Sequence, residues 1–143
     1  MSKGHAQAVP SSVLAKLRAI CLALPGVSEE AAWVGTRWVV GKRNFAHVVR
    51  IDEGWPPAYA KAAGSDGPLV VLTFRTSDML RDALRDAGPR FFVPVWGTRW
   101  GTKVVGIKLD RNTNWKEVKM LIEESYSLLA PASRQPRRKR ARA

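Results

Sequence analysis

Two stretches of this sequence place an arginine directly before a tryptophan. Gly35-Thr36-Arg37-Trp38 and Gly97-Thr98-Arg99-Trp100 are identical, each has a tryptophan shortly upstream (Trp33, Trp96), and each has a lysine soon after (Lys42, Lys103). A guanidinium reaches phosphate oxygens through several N–H groups, and a flat ring beside it stacks on a base or holds the arginine stem. The pair can be an internal repeat, two matched binding elements or coincidence. A four-residue repeat arises by chance in roughly one chain of this size and composition in ten. No wider self-similarity links the two halves, which excludes a tandem array. The remaining expectation is convergence: both copies at strand ends on one end of a sheet, Arg37 and Arg99 toward phosphate, Trp38 and Trp100 packed inward.

The charge balance supports a polyanionic partner. Lys and Arg number 24 against 12 Asp and Glu, a net charge of +12. The segment 134–143, RQPRRKRARA, carries six basic residues and no acid, so the remaining body still holds 18 against 12. Such a segment has no apolar face to bury and attracts polyanions by counterion release. The candidate nucleic-acid-binding residues are Arg37, Lys42, Arg43, Arg99 and Lys103 of the body, with Arg137, Arg138, Lys139 and Arg140 of the tail.

Catalytic signals are missing from the sequence. There is no G-x-S-x-G, P-loop, G-x-G-x-x-G, H-E-x-x-H or C-x-x-C pattern. The single cysteine, Cys21, falls on the apolar face of a helical pattern and reads as buried filler. The pairs Glu29-Glu30 and Glu123-Glu124 are adjacent on polar helical stretches, where neighbours point apart. No cofactor and no metal are expected, and the chain reads as a binding module rather than an enzyme. No apolar run reaches membrane-spanning length and the N-terminus lacks the apolar core of a signal peptide, so a cytoplasmic protein is expected.

The elements that must position these cations follow from periodicity. At 143 residues one domain is expected, able to bury about two-thirds of its unfolded surface. It is read as residues 11–130, between disordered ends at 1–10 and 131–143. SSVLAKLRAICLALPG predicts a serine-capped helix with Leu14, Leu17, Cys21 and Leu24 on one face, flanked by Val13 and Ile20. SEEAAW suggests one helical turn. RWVVGKRNFAHVVRID predicts a hairpin turning at 41–44, with Phe45, His47, Val49 and Ile51 alternating onto one face. The run 53–68 is a loop holding at most a short helical turn. LVVLTFR predicts a central strand, and TSDMLRDALRDAGP a helix capped by Ser77 that turns Leu80, Ala83, Leu84 and Ala87 inward. RFFVPVW and GTKVVGIKLD read as two strands. NTNWKEVKMLIEESYSLLAP predicts a helix burying Val118, Leu121, Ile122, Ser125 and Leu129. The order α-β-β-β-α-β-β-α implies an α+β, two-layer fold: a mainly antiparallel sheet with helices packed on one face.

Three stretches of this chain resemble the MmcQ/YjbR-like family of small, mostly bacterial proteins. They are LRAICLALPGVSEE, WVVGKRNFAHV (with Lys42 and Phe45 at the matching positions), and RWGTKVV followed by WKEVKMLIEESYSLL with Arg99, Trp100, Ser125 and Tyr126. Together they span about residues 14–129. The resemblance implies a fold similar to secretion chaperones and a DNA-binding role through a double wing of hairpins. The chain departs from the family pattern after the central strand (Arg75, Thr76, Ser77, Asp78), in FFVPVWGT, and in a longer 53–67 loop. The expected function is nucleic-acid binding, DNA first, electrostatic and weakly sequence-specific. The alternative is a protein-interaction module, whose sheet offers a face to a partner chain. A monomer or weak dimer is expected, with no membrane contact.

Overall fold

The structure, a computed structural model, describes residues 8–94, 96, 98–99 and 102–131, with Thr98 and Arg99 by backbone alone. In chain order the elements are α1 (Ser11–Cys21), β1 (Ser28–Ala31), β2 (Thr36–Val40), β3 (Arg43–Ile51), α2 (Pro57–Ala63), β4 (Leu69–Thr76), α3 (Asp78–Arg85), β5 (Phe91–Phe92), β6 (Thr98–Arg99), β7 (Thr102–Leu109) and α4 (Trp115–Leu129). The strands form one antiparallel sheet in the order β1-β2-β3-β4-β7-β5, with β6 also paired to β7. The expected α+β architecture is present.

Helices α1, α3 and α4 lie on one face. Leu17 and Cys21 of α1, Leu84 of α3, and Val118, Ile122, Tyr126 and Leu129 of α4 join Trp38, Ala46, Val48, Leu72, Phe74, Val105 and Ile107 of the sheet in the main core. On the opposite face Val49, Ile51, Val71 and Phe92 form a smaller core, covered by Ala60 and Ala63 of α2 and by Val34. Gly106 is a structural requirement there, because a Cβ at this position would overlap the Phe92 ring lying across it.

The two faces meet at an irregularity in β3. Trp38 pairs with Ala46, but Val39 pairs with Asn44, so Phe45 is an extra residue. A bulge of this kind puts two consecutive side chains on one face. Phe45 therefore joins Ala46 in the main core, whereas His47, Val49 and Ile51 point to the other side. The expected alternation of Phe45 with His47 fails for this reason. The ladder between β3 and β4 also stops at Ala46 and Phe74. Beyond it the Phe45 carbonyl and the Arg75 N–H face a gap, which the Ser125 hydroxyl fills. Its Oγ accepts from Arg75 N at 2.8 Å and donates to Phe45 O at 2.7 Å.

Several local expectations need correction. Residues 28–31 form edge strand β1, not a helical turn, because both glutamates have cross-sheet partners described below. Pro10 occupies the N-cap of α1, with no side-chain cap from a serine. Ala83 and Ala87 are exposed, since α3 is too short and too polar to turn more than Leu80 and Leu84 inward. Among the described residues of RFFVPVW, Phe91 and Phe92 alone are strand, as Pro94 has no N–H for a ladder. The Ser77 cap is present, accepting from Leu80 N at 3.2 Å.

Removing the Ser125 hydroxyl leaves a buried donor and a buried acceptor unpaired, at about 1–3 kcal/mol each. Ser125→Ala is therefore expected to lower unfolding free energy by about 2–4 kcal/mol in urea titrations. A loss below about 1 kcal/mol would show that the gap closes without it.

Candidate nucleic-acid interface

The β2–β3 connection is a two-residue turn. Val40 pairs with Arg43, and Gly41 and Lys42 both have positive φ, 56° and 67°. Tight hairpins favour this left-handed pair because its twist matches the strands. Glycine takes it freely; a lysine there is strained. The turn is 41–42 rather than 41–44, and it presents Lys42 and Arg43 exposed at one end of the sheet.

The same end holds two more candidate residues. Lys103 pairs with Thr76 at the end of β4 and with Thr98 of β6, while the Arg99 backbone pairs with Thr102. Two strand spacings separate β3 from β7, so Arg43 and Lys103 stand on the order of 10 Å apart at the backbone. Lys103 also meets Asp78 at the start of α3, 3.8 Å away.

The end of the chain returns to this point. After α4, Ala130 is buried in the main core, and the Pro131 ring lies against Gly41. A Cβ on Gly41 would stand 3.0 Å from Pro131 Cγ. The residues that follow, including Arg137, Arg138, Lys139 and Arg140, lie outside the described residues, as do Gly97 and Trp100.

Arg37 is placed differently. It sits within β2 opposite His47; His47 pairs with Thr73, and Thr73 with Gly106, so its row crosses the middle of the sheet. Its guanidinium is half-exposed and bound to Glu30 of β1, with Nη2 2.8 Å and Nε 2.9 Å from the same carboxylate oxygen. The two Gly-Thr-Arg-Trp segments thus occupy different strands and different heights: Arg37 lies beside the β1–β2 connection, at the other end of β2 from the turn at Lys42. Trp38 does pack inward: it is fully buried, and its Nε1 donates to Glu29 at 3.0 Å. Arg18 holds the same carboxylate, with Nη2 at 2.9 Å. That ion pair, with the Trp38 hydrogen bond, keeps Glu29 below the usual carboxylate range. Burial pushes the Cys21 thiol well up, as expected of inert filler.

Sequence reasoning missed the aromatic surface on the face opposite α1 and α4. Trp33 is 83% exposed and tilts against Trp55, ring centroids 5.6 Å apart. Tyr59 meets Trp96 at 5.1 Å and His47 at 5.9 Å. The clustering of aromatics in 55–59 was the available signal, but only the pairing of loop to sheet brings them together. Trp115 is partly buried against the main core beneath the Lys16 ammonium. Among the described residues no group of three or more His, Cys, Asp or Glu could hold a metal ion. Within them, too, no helix is long and apolar enough to cross a membrane. A cleft of about 370 Å³ between Arg90, Lys108 and the start of α4 contains none of the candidate cations.

A bulged antiparallel sheet, with a serine-tyrosine helix seated in its gap, defines a small α+β protein. The chain belongs to the YjbR family, whose model it matches over residues 22–128. No curated protein matches it significantly.

His47 Nε2 donates to the Val34 carbonyl at 2.6 Å, which leaves Nδ1 to accept from the Tyr59 hydroxyl at 3.2 Å. Burial, reinforced by the charge of Arg37 and opposed by the bond to Val34, lowers the His47 pKa. The unfolded chain therefore takes up a proton first as pH falls. The stability tied to neutral His47 is present above about pH 6.5 and is lost as pH drops through the lower folded value. Unfolding free energy should decline between pH 7.5 and 5, and His47→Gln should flatten that decline. Equal slopes in the two proteins would contradict the assignment.

Proposed function

We propose that this chain is a cytoplasmic, non-catalytic nucleic-acid-binding protein, with DNA as its first expected ligand. It grips the phosphate backbone with the β2–β3 hairpin end and the basic tail acting as one surface. The observation that carries this reading is the seating of Pro131 on Gly41. It sets Pro131, three positions before the first of the six basic residues of 134–143, beside the turn of Lys42 and Arg43, so binding at one element would raise the effective concentration of the other. A second observation supports it. A lysine in the left-handed region costs stability that asparagine or glycine would not, and strained positions of this kind collect at functional sites. Arg99 and Lys103 extend the same end of the sheet, and Arg37 contributes from farther along it. The sequence holds no recognisable recognition helix or zinc module, so affinity would come from phosphate contacts and vary little with sequence.

Six tail cations with Lys42 and Arg43 neutralise about eight phosphates at most, giving a log–log salt slope near −7 on duplex DNA. Affinity should fall by about a thousandfold or more between 50 and 200 mM salt. Ending the chain after Pro131 should leave the melting temperature unchanged and reduce the slope by about five. Lys42→Asn should reduce it by about one while raising stability by up to about 1 kcal/mol. Fluorescence-anisotropy titrations at four salt concentrations measure all three. A flat salt dependence, or discrimination among unrelated duplexes by several kcal/mol, would refute the proposal.

A further inference from the structure

The hairpin end does not explain Trp33. An indole left 83% exposed contributes little to the core, yet the loop that displays it is tightly fixed. Ala32 N donates to Gly35 O at 3.1 Å across the β1–β2 connection. Gly35 has φ +74°, and a Cβ there would overlap the Val48 carbonyl oxygen, so the loop is pressed onto β3. Val34 is buried in the smaller core, and its carbonyl is held by His47, which Tyr59 holds in turn. The Trp55 ring packs at a tilt against the Trp33 ring. A loop ordered in advance presents its aromatic face at little entropic cost on binding.

From Trp33, strand β2, which runs between β1 and β3, leads to the cationic end. Arg37 follows four residues later and Lys42 five beyond that. At about 3.3 Å per strand residue, Arg37 stands about 15 Å from the turn. Its pairing with Glu30 is half-exposed, and such pairs are worth so little that a phosphate can replace the carboxylate. The surroundings of Trp55 are different in character. Asp52, Glu53 and Asp66 lie in its loops, and the only basic residue on α2 is Lys61. Phosphate is disfavoured there and an uncharged, flat group is not.

We propose that the surface along β2 from Lys42 through Arg37 to Trp33 is a track for single-stranded nucleic acid, with phosphates at the cationic end and an unpaired base stacked on Trp33. This rests on the nucleic-acid reading above and narrows it. A duplex keeps its bases inside its own stack and cannot use the indole, whereas every unpaired base offers a face to it.

The test compares an oligothymidine on the order of a dozen nucleotides with a duplex of equal length, at one salt concentration and with the full chain. The wild-type protein should prefer the single strand. Trp33→Ala should weaken single-strand binding by about five- to a hundredfold, the range of a lost base–aromatic stack, with duplex affinity and melting temperature unchanged. Trp33→Phe should recover most of the loss. Binding of both nucleic acids that Trp33→Ala leaves unchanged, or reduces equally, overturns the track and leaves the electrostatic reading standing. Failure of both to bind overturns the electrostatic reading itself.

Discussion

The Ser125 hydroxyl sits where the sheet comes apart. The bulge at Phe45 ends the pairing of β3 with β4, and one side chain from α4 accepts from one strand and donates to the other. Tyr126 continues the same anchor: its ring meets Phe45 edge-on at 5.6 Å, and its hydroxyl donates to the Pro25 carbonyl at 2.6 Å. The exit of α1, the hairpin strand and the end of α4 are thus joined around one bulged residue. These are the three stretches by which the sequence resembles its family, and their meeting gives each a physical role. A buried serine with both hydrogen bonds satisfied fixes the height of the helix on the sheet, which an apolar side chain could not do.

What that anchor positions is the hairpin end. Because α4 is locked at Ser125 and Tyr126, its last turn brings Leu129 and Ala130 into the core and lays Pro131 on Gly41. The tight turn is possible because Gly41 and Lys42 both take the left-handed conformation. Cations on an ordinary surface are dispersed and paired, as Arg81 and Arg85 are with Asp82 and Arg90 with Glu117. At the hairpin end Lys42 and Arg43 stand exposed on a strained turn, with Pro131 seated against Gly41.

The helices were legible because their apolar spacing is local. Leu17 and Cys21, or Val118, Ile122 and Leu129, repeat at helical intervals whatever they pack against. Edge strand β1 was not, since Ser28–Ala31 has a helical composition; it is extended because Glu29 meets Trp38 and Arg18, and Glu30 meets Arg37, all distant in sequence. The bulge was hidden for a similar reason: Phe45 fits an alternating strand until the serine 80 residues later is included. Arg37 and Arg99 share one sequence context, yet cross-strand register puts them in different parts of the sheet. Trp33 and Trp38 show the same limit: one is exposed and one fully buried, and the left-handed turn at Gly35 between them decides which.

The most direct test of the account is a map of backbone amide shifts on the full chain as a short DNA duplex is added. Shifts concentrated at Gly41, Lys42, Arg43, Thr102 and Lys103, and fading as salt rises, are the result it predicts. Shifts confined to α1 and the outer side of α4, or no shifts at low salt, would contradict it.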